Sequence, residues 1–374
     1  MSNFKIYTVI GIMSGTSMDG VDFSLIKTDG INIAKIILEK EYKYTDNYKK
    51  KIKKLVQNLP QSQKKQILYT AKNEKFITNK FLYYIKKFLK DIEPNSHNIE
   101  LIGLSGQTIL HNPIKRYSIQ LGSGKEIYNK IKIPVISNFR QKDLLNGGQG
   151  APIGSFYHQS ILNKINHKAC IINLGGIANI TITNKKDLIS YDMGPANALI
   201  DDLSNYFYNK NFDKNGFYAS KGNIIKNIIH KFNQDIYFRK KYPKSLDRNY
   251  FNIFFTKLKK CNADDAIHTA SMMTVNSIVN GIKLLKQKIE IVILTGGGRK
   301  NLFIKKKLQK ILKSKEIKIV NIENYGFNGD MVEAQMFGYL AIRSIKKLPL
   351  SLPSTTGVKT PTTGGIKHGK LIKN

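Results

Sequence analysis

Cysteine is almost absent from this chain. Cys170 and Cys261 are the only two, with no CxxC pair and no histidine at ligand spacing around them. That excludes a disulfide scaffold and a cysteine zinc site, and makes the cytoplasm the default location. Long apolar runs are missing too. None reaches the roughly 18 residues that suggest a membrane span, and no cleavage-site pattern follows the first apolar run, so no signal peptide is expected. Acidic residues are few, 26 against 61 lysines and arginines, for a formal charge of +35. Such a balance can mark a nucleic-acid or membrane binder. Here the lysines run from end to end, arginine is scarce, and stretches such as "KKIKKL" and "FIKKKLQKILK" keep an apolar residue every three or four positions. These are solvated faces of amphipathic helices, and neither nucleic acid nor membrane is the expected partner.

Three familiar signatures fail on inspection. "GSGKE" at Gly122 lacks the first glycine of a P-loop and has Glu126 where a magnesium-binding hydroxyl belongs. "GLSGQ" places Gln107 where a nucleophile elbow needs glycine. "TGGGRKN" does not have dinucleotide-binding spacing.

What is present is the composition of a globular protein of 374 residues, 41% hydrophobic and 23% charged. The first forty-odd residues read as three strands separated by Gly/Asp turns, followed by a helix from about Gln61 to Leu89. "IELIGLSGQTILH" reads as a buried strand ending in a polar loop, with His111 in that loop, and "IKIPVISNFR" as a short strand. A glycine cluster and a helix come next. Then "KACIINLGGIANITITNKKDLISYDMGP" repeats the order strand, turn, strand, turn, strand. Helices, one more strand–loop–helix unit and a Pro/Thr/Gly-rich tail complete the chain. Two three-strand meanders, each followed by helices, predict a duplicated α/β architecture of two lobes facing across a cleft. The expected lobes are residues 1–137 with the tail 346–374, and residues 138–345.

Three glycine-rich turns directly follow strands: Gly15–Gly20, Gly175–Gly176 and Gly296–Gly298. One such turn alone reads as a tight connection. Three of them, two inside the repeated meanders, point to backbone N–H groups that cradle the phosphates of a nucleotide. Thr16 and Ser17 add hydroxyl donors, and Asp19 and Asp22 are candidates to hold a magnesium ion through water. Asp192, expected after an apolar strand, reads equally as a general base or as a turn aspartate. Glu333 reads as a first-turn acid of the last helix.

The segments "GIMSGTSMDGVD", "GQT", "NFRQKDLLNGGQGAP", "INLGGIANIT", "YDMGPANALIDD", "GGGRKN" and "LPSTTG" together resemble the anhydro-N-acetylmuramic acid kinase family, in order over nearly the whole chain. The resemblance implies a duplicated actin-like (ribonuclease H-like) fold and an ATP- and Mg²⁺-dependent reaction. In it, water opens the 1,6-anhydro ring of 1,6-anhydro-N-acetylmuramate while O6 receives the γ-phosphoryl group, in cell-wall recycling. It implies a small-molecule partner and leaves room for a homodimer. By resemblance, Gly15, Thr16, Ser17, Met18, Asp19, Gly20, Val21 and Asp22 form the phosphate turn. Gly175, Gly176, Gly296, Gly297, Gly298, Asn301 and Glu333 face the nucleotide, and Asp192 is the base. Gln107, Asn138, Arg140, Gly148, Gln149 and Asn197 are the candidate sugar-side residues. The family has histidine where this chain has Ser105 and aspartate where it has Asn138, both expected on the sugar side. A switch-like nucleotide-binding protein without sugar chemistry is the alternative.

Overall fold

A computed structural model describes residues 5–15, 18–92, 98–165, 167–183 and 187–371. By compactness the chain divides into two units. One comprises Met1–Ser160, Glu333–Pro353 and Gly357–Asn374, and the other Ile161–Val332 and Ser354–Thr356.

The first unit begins with the meander β1 (Tyr7–Ser14), β2 (Gly20–Thr28) and β3 (Ile33–Lys43), paired antiparallel in sequence order. Two helices follow, α1 (Asp46–Gln57) and α2 (Gln63–Ile92). In α1 the Thr45 hydroxyl accepts from the Tyr48 N–H, and Tyr48, Ile52 and Leu55 turn inward at helical spacing while the lysines stay outside. β4 (Leu101–Asn112) then pairs parallel with β1. β5 (Tyr117–Leu121), α3 (Gly124–Ile131), β6 (Val135–Ser137), α4 (Gln141–Leu145) and α5 (Ser155–Leu162) come next. The sheet order is β12-β6-β4-β1-β2-β3, with β5 beside β4. Here β12 (Ile366–His368) is a short strand from the Pro/Thr/Gly-rich tail, antiparallel to β6.

The second unit repeats the plan. β7 (Ala169–Leu174), β8 (Ile177–Thr183) and β9 (Leu188–Pro195) form an antiparallel meander. α6 (Asn197–Tyr208), α7 (Lys226–Asn233), α8 (Asn252–Leu258) and α9 (Ala263–Lys283) lead to β10 (Ile291–Thr295). After β10 come α10 (Leu302–Lys313) and β11 (Lys318–Asn321). β10 runs parallel to β7, and β11 parallel to β10, in the order β11-β10-β7-β8-β9. Each unit therefore builds an antiparallel meander and extends it with parallel strands on the far side of its first strand. This is the duplicated α/β plan that the repeated meanders predict, in the actin-like, ribonuclease H-like topology that the family resemblance implies.

The helix α11 (Val332–Ile345) closes the first unit. It lies so near the sheet that a Cβ on Gly11 of β1 would stand 1.9 Å from the Ala334 carbonyl oxygen. One on Gly103 of β4 would stand 2.1 Å from the Phe337 carbonyl oxygen. Helix backbone here rests on strand backbone, and only glycine leaves the room. Because of this packing, residues 333–345 join the first unit, whereas the expected lobes placed them in the second. Residues 138–160 differ in the same way. Asn146 bonds the tail, accepting from the Lys359 N–H (3.1 Å) and donating to the Thr360 carbonyl oxygen (3.1 Å).

His111 differs from expectation as well: it lies within β4, opposite Ser118 of β5, not in a loop. β5, β11 and β12 are short strands absent from the sequence reading.

The helix-to-sheet approach generates a test. Gly103→Ala forces a Cβ into the α11 backbone, and overpacking of this kind costs about 1–3 kcal/mol, occasionally more. Thermal denaturation should show a marked loss of stability for Gly103→Ala, and little change for alanine at Gly297, where an added Cβ meets nothing within 4 Å.

Candidate active site

The turn after β1 is supported from below by a buried polar network. The Ser14 hydroxyl donates to Gln107 Oε1 (2.7 Å) and lies 2.9 Å from the Tyr44 hydroxyl. Gln107 Nε2 donates to the Gly15 carbonyl oxygen (3.1 Å), and the Met18 N–H donates to the same oxygen (3.2 Å). The pairing of β1 with β4 slips between Ile12 and Ser14, so that Ser14 faces Gln107 after Ile12 faces Leu104. This bulge, with Gly106 at φ 70°, frees the Ser14 N–H from the strand ladder. Ser105 Oγ accepts it at 3.1 Å and donates to the Gly106 carbonyl oxygen at 2.8 Å.

Several predicted residues therefore stand in unexpected places. Ser105 and Gln107, expected on the sugar side, are buried and bond the end of β1 and the turn after it. Met18 takes a left-handed backbone (φ 56°) and sinks its side chain into the core, as does Val21. Gly20 sits where a Cβ would come within 2.8 Å of the Tyr42 carbonyl oxygen, so the β2–β3 pairing itself requires glycine. Thr16 and Ser17 lie outside the described residues. Asp19 is exposed and Asp22 half-buried. Both bear on the Tyr44 hydroxyl, whose pKa is raised by burial, with the charges of Tyr84, Asp22 and Asp19 adding to it. Two carboxylates beside this turn are of the donor type that a magnesium ion takes, since it binds one or two carboxylates and keeps several waters.

The glycine-rich loop after α4 is the second feature of this unit. Asp143 is buried, and its Oδ1 accepts from the Gly150 N–H at 2.6 Å. Gly148 packs directly on that carboxylate, and its N–H donates to the Asp143 carbonyl oxygen at 2.9 Å. Arg140 donates to the Gly150 carbonyl oxygen at 2.7 Å. Gln149 sits between these two clamped glycines. His111 packs against Gly150, and burial, reinforced by the Arg140 guanidinium, pushes its pKa down to about 4. Asn138 precedes this loop in a left-handed conformation, φ 57°. Asparagine is among the few residues with a side chain that tolerate this backbone. Glu333 lies in the first turn of α11, as read from the sequence.

In the second unit the other two glycine turns come together. β7 and β10 are parallel neighbours, with Asn173 opposite Thr295, so Gly175–Gly176 and Gly296–Gly298 leave the same end of the sheet. The carbonyl oxygens of Gly175 and Gly176 accept from the Asn197 and Ala198 N–H groups, tying the turn to the start of α6. Asn197, expected with the sugar-side residues, instead stands against Gly298 and donates to the Leu174 carbonyl oxygen (2.8 Å). Asn301 caps α10, accepting from the Ile304 N–H at 3.1 Å. Arg299 is buried and holds the turn from behind, donating to the Gly296 carbonyl oxygen (3.0 Å), Glu323 (2.7 Å) and Asp330 (2.7 Å). Burial works against ionisation of both acids, yet the guanidinium holds Glu323 and Asp330 below the usual carboxylate range. Next to Asn301 and Gly216, a cavity of about 830 Å³ is lined by Phe212, Phe217, Leu302, Phe303, Lys214 and Lys306 among others.

Asp192 lies inside β9, not after it, and is buried. Its Oδ2 accepts from the Leu246 N–H at 2.8 Å and its N–H donates to the Lys244 carbonyl oxygen at 2.9 Å. Its own carbonyl oxygen accepts from the Tyr237 hydroxyl at 2.6 Å. The segment 237–246 thus forms a cradle around this aspartate, and the sequence reading missed it. The only local signal is the tyrosine-rich "IYFRKKYPKSL" run.

In each unit an antiparallel meander is extended by parallel strands, with glycine turns at the strand ends, which is the actin-like fold class. The model of the anhydro-N-acetylmuramic acid kinase family matches residues 7–369. The chain belongs to that family and is a kinase, with ATP as the phosphoryl donor that this implies. It is 35% identical to the anhydro-N-acetylmuramic acid kinase of Zymomonas mobilis, covering 96% of this chain and 99% of the relative. It is 36% identical to that of Pelagibacter ubique, covering 99% of each. Among solved structures it is similar to component A of (R)-2-hydroxyglutaryl-CoA dehydratase from Acidaminococcus fermentans, at 10% identity and a TM-score of 0.43, covering 90% and 98% of the two chains. No helix among the described residues is long and apolar enough to cross a membrane.

Substitutions at two positions test the placement of the departing residues. Ser105→Ala removes the acceptor of a buried N–H, a loss of about 1–3 kcal/mol. It should raise KM for ATP with KM for the sugar little changed; the reverse pattern would return Ser105 to the sugar side. Asn138→Gly should keep wild-type thermal stability, whereas Asn138→Val should lose about 1–3 kcal/mol for a β-branched residue at positive φ. Equal stability of the two variants would remove the conformational reason for asparagine here.

Proposed function

We propose that this chain phosphorylates 1,6-anhydro-N-acetylmuramate at O6 while hydrolysing its anhydro bond, giving N-acetylmuramate 6-phosphate and ADP. Water supplies the oxygen that bonds to C1, and the C1–O6 bond breaks. O6 forms a bond to the γ-phosphorus, whose bond to the bridging oxygen of ADP breaks. One proton of the water leaves to a base. The product belongs to the recovery of cell-wall amino sugar.

The observation that carries this reading is Asp192: a buried carboxylate on β9, fixed at Oδ2 by the Leu246 N–H. A carboxylate so held is positioned to take the proton of an attacking water, and an amide is not. The turn from Gly15 to Asp22 is assigned to the phosphates, with its N–H groups and the hydroxyls of Thr16 and Ser17 as donors. Asp19 and Asp22 would hold Mg²⁺, which when bound neutralises charge developing on the transferring phosphoryl group. Gly175–Gly176 and Gly296–Gly298 are assigned to the nucleotide, together with Glu333. The adenosine end is assigned to the Asn301 side, where the neighbouring cavity offers apolar walls and lysines. The loop clamped by Asp143 and Arg140, with Gln149 at its centre, is the candidate sugar-side element, and Gln107 and Asn197 are withdrawn from that role.

The test joins isotope and mutation. ADP release should require the anhydro-sugar, and ¹⁸O from labelled water should enter C1 of the product. Label found only in inorganic phosphate would mean ATP hydrolysis by a switch-like protein. Asp192→Asn should retain ATP binding and lose on the order of 10²–10⁴ in kcat. A folded variant with near-normal kcat would exclude Asp192 as the base.

A further inference from the structure

Lys244 is a lysine in an unusual position, 6% exposed inside the second unit. Its ammonium donates to the Tyr237 carbonyl oxygen at 3.0 Å. It lies 4.4 Å from the centroid of the Tyr237 ring and 5.9 Å from that of Tyr191. Tyr191 in turn stacks on Tyr242 at 5.1 Å. Burying an ammonium is costly, and aromatic faces with one carbonyl oxygen offset part of that cost. Tyr237, whose carbonyl and ring hold this charge, also holds Asp192, and the Lys244 backbone does so too. Lys244 supplies the carbonyl that accepts the Asp192 N–H, Tyr237 supplies the hydroxyl that binds the Asp192 carbonyl, and Leu246 supplies the N–H on Oδ2. A simple packing role would be met by methionine or leucine, without the desolvation of a charge.

We propose that Lys244 is a positioning residue for the reaction: its buried ammonium anchors the 237–246 cradle and favours the ionised form of the Asp192 carboxylate. The proposal rests on Asp192 as the base. The groups that face Lys244 are Asp192 on β9, Lys240 on its own segment, and the Tyr191 and Tyr237 rings, with Tyr242 stacked on Tyr191. Burial holds the Tyr191 and Tyr237 hydroxyls far above their usual pKa, so neither takes up the proton at neutral pH. Burial, with Lys240 adding to it, pushes Lys244 down to about 8, while Asp192 pulls the other way. The cation is therefore present through the pH range in which a carboxylate titrates. Removing it raises the pKa of Asp192, so the acid limb of activity moves to higher pH.

The experiment uses the full chain, ATP and the anhydro-sugar, and measures kcat and both KM values from pH 5 to 9 for Lys244→Met and Lys244→Arg. Circular dichroism and thermal melting establish folding. Lys244→Met should shift the acid limb of kcat up by roughly one pH unit, a loss of about tenfold on that limb, with KM for ATP unchanged. The gap to wild type should narrow above pH 8. Lys244→Arg, which keeps the charge, should restore the acid limb. If Lys244→Met does not fold, Lys244→Gln keeps a donor to the Tyr237 carbonyl oxygen and carries the same comparison. An unmoved acid limb in the charge-free variant, with Asp192→Asn inactive, overturns the role of Lys244 and leaves Asp192 as the base. Turnover by Asp192→Asn overturns both.

Discussion

The first unit depends on the contact of α11 with the sheet at Gly11 and Gly103. Neither glycine is needed for a turn. Each is needed because a helix backbone passes within the space a Cβ would occupy. The approach fixes the height of α11 over β1 and β4, and with it the position of Glu333 in the first turn. It also fixes the strands that lead into the turn after β1, since β1 ends at Ser14 and β4 supplies Ser105 and Gln107.

Both units hold a turn at the end of a strand by side chains packed behind it. In the first unit the bulge between β1 and β4 takes the Ser14 N–H out of the strand ladder and onto Ser105 Oγ, while Gln107 and Tyr44 hold the Ser14 hydroxyl. In the second, Arg299 ties the Gly296 turn to two carboxylates, and Asn197 with the start of α6 ties the Gly175 turn. A turn held by side chains behind it is preorganised, so little reorganisation remains when charge develops in front of it.

Much of this was legible in the sequence, for definite reasons. The meanders declare themselves through apolar runs interrupted by Gly and Asp, and their repetition gives the duplicated fold. The glycine turns and Asp192 stand in local patterns whose chemistry can be read. Ser105 could not be placed, because its role depends on a register slip between strands ninety positions apart. Gln107 and Asn197 are polar residues beside glycine turns, and only geometry shows that their amide NH₂ groups donate to backbone carbonyls. Residues 237–246 reach Asp192 from about fifty positions away with no periodic signal. β12 is half-exposed and three residues long, so nothing in its composition sets it apart from the tail.

The tail strand has a consequence for the order in which the chain takes shape. All strands and helices of the second sheet lie between residues 161 and 332, and this stretch leaves the ribosome before α11 and β12 exist. The first unit begins earlier yet ends later, because its sheet is completed by β12 and covered by α11. Its opening meander waits through the synthesis of an entire second unit before its apolar face is fully covered. Pairings this distant carry a high loop-closure cost and form late. Nascent β1–β4 surface is therefore where a chaperone would have most to protect.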